Sequence, residues 1–139
     1  MIDSNTCYNN GCGSLKKWDI GNTVRAILMA DADIHNMVGN NIYPIVASED
    51  VNGDFIVYRR DRYGKAATKI GVYKDECELY VTAVSDNYDN GITLAYLIDT
   101  SLVGEHILDN GKRISIELTD STESFEDNKY IETLLFTIK

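Results

Sequence analysis

The sequence predicts an α+β fold: a single small, mainly antiparallel sheet of four to five strands, two helices packed on one face, and a long basic loop or hairpin arm. Three features predict it. Apolar residues recur at helical spacing near residues 24–28 and 94–102. They alternate with polar residues from Glu76 to Val84, and again in two segments near the C-terminus. Six cations crowd between Arg59 and Lys74.

With 139 residues, 44% hydrophobic and 25% charged, the chain suits one globular domain able to fold without a disulfide or metal. Residues 1–18 are polar and glycine-rich and read as a flexible N-terminal arm, with Leu15 and Trp18 as docking residues. Residues 19–139 read as the single α+β domain. The first helix begins near Asp19 to Thr23, where Asp19, Asn22 and Thr23 offer capping oxygens. Val24, Ile27 and Leu28 form its apolar face. Asp31 can cap a short further helix carrying Ile34, Met37 and Val38, with Gly39 as its stop. Ile42-Tyr43-Pro44 is extended, as the residues before a proline prefer.

Asn52-Gly53-Asp54 introduces the strand Phe55 to Arg60, which is β-branched and aromatic. In the next strand Cys77, Leu79, Val81 and Ala83 face the core, while Glu76, Glu78, Tyr80 and Thr82 face outward. A helix from about Tyr88 to Val103 takes Ser85 or Asp86 as its cap. It aligns Gly91, Leu94, Ala95, Ile98 and Leu102 and stops at Gly104. After the turn Asp109-Asn110-Gly111, Ile114, Ile116 and Leu118 mark one strand, and Leu134, Phe136 and Ile138 another. Glu123, Glu126 and Asp127 fall in a polar turn between them. Two helices cannot cover so short a sheet on both sides, so they belong on one face.

A net charge of −9 repels phosphate backbones and anionic membrane surfaces, so protein is the favoured partner. No stretch is long and apolar enough for a membrane span, and no signal peptide is visible, which leaves cytoplasmic synthesis as the expectation. Cys7, Cys12 and Cys77 are an odd set without a disulfide pattern, and His35 and His106 are isolated. No metal or cofactor site is therefore expected. Gly11-Cys12-Gly13-Ser14 lacks a phosphate-loop ending. The histidines and the carboxylate clusters read as solvated, and no enzyme activity is expected.

The basic segment departs from this acidic background. Arg59, Arg60, Arg62, Lys65, Lys69 and Lys74 face one acid, Asp61, a surplus of five positive charges, and the rest of the chain carries −14. Tyr58, Tyr63 and Tyr73 are interleaved with them. Three readings fit: a subunit interface, a solvated loop, and a nucleic-acid contact. The interface reading selects Arg59, Arg60, Arg62, Tyr63, Lys65, Lys69, Tyr73 and Lys74 as contact residues.

Several segments resemble the bacteriophage tail-completion and tail-terminator (head–tail joining) family. They are Val24-Arg25-Ala26-Ile27-Leu28, Ile34-His35-Asn36-Met37-Val38-Gly39, Asn41-Ile42-Tyr43-Pro44 and Phe55-Ile56-Val57-Tyr58. Ser85-Asp86-Asn87-Tyr88-Asp89 opening Thr93-Leu94-Ala95-Tyr96-Leu97-Ile98 is similar too, as is the final pair of strands around an acidic turn. The resemblance spans about residues 20–139. It implies a non-enzymatic virion subunit, assembled in the bacterial cytoplasm into a homo-oligomeric ring, a hexamer in this family. The ring would cap the tail tube, meet the tube protein and the head connector or neck proteins, and pass DNA through its lumen without reading its sequence. An acidic lumen wall suits that passage. The competing expectation is a small acidic inhibitory or immunity-type domain that masks a basic protein.

Overall fold

The computed structural model describes residues 18–67, 73–108 and 111–139; for 62–67 and 73–76 it describes the backbone alone. Two helices come first, α1 (Ile20–Ala30) and α2 (Ala32–Val38), followed by the short strand β1 (Ile42–Pro44). The strands β2 (Phe55–Ala67) and β3 (Tyr73–Ser85) form a long hairpin. Helix α3 (Tyr88–Leu102), strand β4 (Gly104–Ile107) and the hairpin β5 (Arg113–Glu126) and β6 (Lys129–Ile138) complete the order.

The six strands form one sheet in the order β1-β2-β3-β6-β5-β4. β1 runs parallel to β2, and every other pair is antiparallel. The expectation of four to five strands and two helices is corrected to six mixed strands and three helices among the described residues. The third helix is α2, seven residues long, the short helix expected between Asp31 and Gly39. The added strands are short: β1 has three residues and β4 four, too few for a period to stand out.

Helix α3 lies over β6, β3 and β5, α1 over β2, and α2 against α1 and α3. Cys77, Leu79, Val81 and Ala83 are fully buried as the alternation requires, and Ile56, Leu134, Phe136, Ile138 and Ile116 meet them on the same face. Ile20, Val24, Leu28, Leu94, Ile98 and Leu102 close this core from the helix side. At roughly 1.5–3 kcal/mol for each large apolar side chain removed from water, this layer is the main favourable contribution to folding. The opposite face, with Val57, Tyr80, Thr82, Thr133, Leu135 and Thr137, has no helix over it among the described residues and stays partly exposed.

Local chemistry sets the helix ends. Asp31 accepts from the amides of Asp33 (2.9 Å) and Ile34 (3.2 Å), and so starts α2 while ending α1. Gly39 closes α2 at a positive φ of 60°. For α3 the cap is Asn87, which accepts from the Asn90 amide at 3.1 Å, and not Ser85 or Asp86. Ser85 is buried and serves another purpose. Its hydroxyl donates to Asp54 at 2.7 Å and accepts from the Asn87 amide at 3.1 Å, tying the entry of β2 to the entry of α3.

Candidate subunit interface

Among the described residues, the two long hairpins leave different edges of the sheet uncovered. β1 pairs with β2 only over Ile56–Tyr58, and the Ile45 amide adds one bond to the Tyr58 carbonyl at 2.8 Å. From Arg59 to Ala67 the outer edge of β2 has no partner strand among the described residues. At the other side β4 covers β5 only over Arg113–Ile116, leaving Glu117 to Glu126 as an outer edge. Every residue of that stretch is exposed.

The sequence-predicted interface lies largely on the first of these edges. Arg59, Arg60, Arg62, Tyr63 and Lys65 belong to β2, and Tyr73 and Lys74 to the facing part of β3. The basic segment is thus a β-hairpin with a bulge between Arg60 and Arg62. Lys69 lies outside the described residues, as do Cys7, Cys12 and Leu15 of the predicted arm and the predicted turn residues Asp109 and Asn110. Arg59 sits on the open face, 4.9 Å above the Tyr80 ring and 3.8 Å from Asp61. Arg60, on the helix side, stacks 4.5 Å over Trp18 and donates to the Trp18 carbonyl at 3.3 Å. The carboxylate beside Arg59 belongs to the segment itself.

The second edge was not foreseen. Glu123 and Glu126, placed by the sequence in a polar turn, are strand residues. Only Asp127 and Asn128 make the turn, both at positive φ (52° and 62°), a two-residue hairpin connection. Glu117, Asp120, Glu123 and Glu126 give β5 an acidic edge. The signal that could have found it is the Asp-Asn pair flanked by Thr, Phe, Tyr and Ile.

On the helix side of this hairpin Glu123 stands opposite Glu132 in the ladder. The Tyr88 hydroxyl donates to Glu123 at 3.1 Å, and Tyr88, Tyr130 and Phe125 form an aromatic cluster with ring centroids 5.5 and 4.8 Å apart. Burial first, then the hydrogen bond and charge of Glu123, raises the Glu132 carboxyl to about 7. The same Glu123 raises the Tyr88 phenol above its ordinary 10. Lys129 pairs with Asp86 at the same end.

Elsewhere, His35 is exposed, as the sequence suggested. His106 is instead half-buried, its Nε2–H donating to the Leu102 carbonyl at 2.7 Å, where it satisfies the end of α3. No group of three or more His, Cys, Asp or Glu side chains able to hold a metal occurs among the described residues. No helix among them is long and apolar enough to cross a membrane.

No protein-family model matches the sequence, and no curated protein matches it either. Among solved structures, the chain is similar to one in the "Virion of native gene transfer agent (GTA) particle". The TM-score is 0.70 at 18% identity, over 83% of this chain and 89% of that one. At that identity the likeness is one of fold.

Proposed function

We propose that this chain is a structural protein of a phage-like virion, acting as a ring-forming subunit that ends the tail tube and joins it to the head connector. The observation that carries the reading is the fold shared with a chain of a gene transfer agent virion, over most of both chains. The ring within that reading draws support from the partition of charge, with a basic strand on one side of the sheet and an acidic strand on the other. Closed rings use heterologous contacts, in which one patch meets a different patch, and the two edges supply such a pair. The acidic remainder suits a lumen through which DNA slides.

The test is negative-stain electron microscopy of the purified protein. Closed rings of uniform diameter, six-fold in projection, are the expected result. Particles that stay monomeric at every concentration favour the acidic inhibitor instead and contradict the ring.

A further inference from the structure

Resting on the ring reading, we infer that neighbouring copies join by continuing the sheet, the basic outer edge of β2 in one copy pairing antiparallel with the acidic outer edge of β5 in the next. Four observations meet here. First, the lengths match: Arg59 to Ala67 gives nine residues and Glu117 to Glu126 gives ten. Second, the charges are opposite, with four cations and Asp61 on one edge and four carboxylates on the other. Like-sign edges repel, so β2 with β2 and β5 with β5 are disfavoured while β2 with β5 is allowed. Charges that only blunted the edges would need no opposite sign.

Third, the free edges lie at opposite ends of the sheet. The ladders place Glu117 level with Thr137, Glu78 and Arg62. Seating Ala67 of one copy against Glu117 of the next then shifts the copies by about five residues, roughly 17 Å along the strands. The short strands β1 and β4 form steps at either end of the resulting notch. Six strands at about 4.8 Å make the sheet roughly 29 Å wide, so the stagger leans the strands by about 30°, and tilt of this kind lets a sheet close on itself.

Fourth, the step at β1 is apolar where it meets the neighbour. In this seating β1 continues the line of the adjacent β5, and its end points at the tip of the β5–β6 hairpin. There Ile45 and Val46, 70% and 73% exposed, face Phe125, 54% exposed. Ile45 is held at a φ of 66°, a region that β-branched residues avoid. A strained, exposed isoleucine is explained when a partner covers it.

The experiment uses two full-length variants and light scattering coupled to size exclusion. One carries Arg59→Glu, Arg60→Glu, Arg62→Glu and Lys65→Glu; the other carries Glu117→Lys, Asp120→Lys and Glu126→Lys. Each alone is expected to raise the concentration needed for assembly by roughly a hundredfold or more. An equimolar mixture of the two is expected to recover assembly, because every β2–β5 contact between unlike copies is again complementary. Wild-type rings together with undisturbed assembly in both variants overturn the edge pairing and leave the ring standing. A wild type that stays monomeric overturns both. A lowered thermal midpoint of monomeric first variant, with no change in association, means that the β2 edge is covered by its own chain and overturns the pairing.

Discussion

Glu132 stands directly across the β5–β6 ladder from Glu123, and across the next ladder from the fully buried Ala83. One strand position therefore brings a half-buried carboxyl, a second carboxyl and the Tyr88 hydroxyl to the start of α3. The β5 edge and the helix layer are joined there, so the titration of Glu132 reports on whether the hairpin is seated.

The first prediction concerns pH. Burial and Glu123 raise Glu132 from 4.5 to about 7, so the folded state favours the protonated form. The unfolded chain loses that proton at lower pH. Stability from this group is full below about 4.5 and is lost as pH rises toward about 7. The thermal midpoint is expected to fall between pH 5 and pH 8, and Glu132→Gln is expected to flatten the fall. A midpoint equally pH-dependent in the variant would refute the assignment.

The strained Ile45 gives a second. Replacing it by Asn, which tolerates positive φ, is expected to stabilise the monomer by roughly 1 kcal/mol in urea denaturation. The same change removes an exposed apolar contact and is expected to weaken association. A substitution that stabilises the fold while loosening the assembly separates the two roles of this residue.

Two glycines provide a paired test of packing. A Cβ on Gly21 would lie 3.0 Å from Cε2 of the buried Tyr58 ring, whereas one on Gly91 would meet nothing nearer than Ser85 Cβ at 3.7 Å. Gly91→Ala is expected to be neutral or stabilising by up to about 1 kcal/mol. Gly21→Ala is expected to be at least about 1 kcal/mol less stable than that, because α1 must move off β2. Chemical denaturation of both variants under one condition checks the difference.

The turn of the acidic hairpin is tested at Asn128. Its φ of 62° is tolerated by Asn and disfavoured for a β-branched side chain. Asn128→Val is expected to cost about 1–2 kcal/mol, and Asn128→Gly to leave stability close to wild type.

What the sequence made legible is the part of the fold with one buried face. Cys77 to Ala83, Leu94 to Leu102 and Leu134 to Ile138 carry the period of their elements because the core demands it. From Asp120 to Glu126 both faces of β5 meet solvent, so nothing forces alternation, and Glu123 and Glu126 read as part of a turn. The outer part of β2 carries no apolar alternation in its sequence either, so its charges fit a loop or a hairpin arm alike. Half of the candidate interface, the basic segment, was therefore visible as composition. Its acidic counterpart was not, since it only becomes an edge once the ladder places β5 near the margin of the sheet. The role of Ser85 is hidden for a related reason: a serine before a helix looks like a cap until Asp54 is brought beside it.

Self-association through unlike edges is tested most directly by sedimentation velocity of the wild-type protein over a concentration series at low and high salt. The account predicts a cooperative shift from monomer to one closed species, retreating to monomer as salt screens the β2 and β5 charges. A single monomer peak at every concentration in low salt, or an open-ended ladder of sizes, would contradict it.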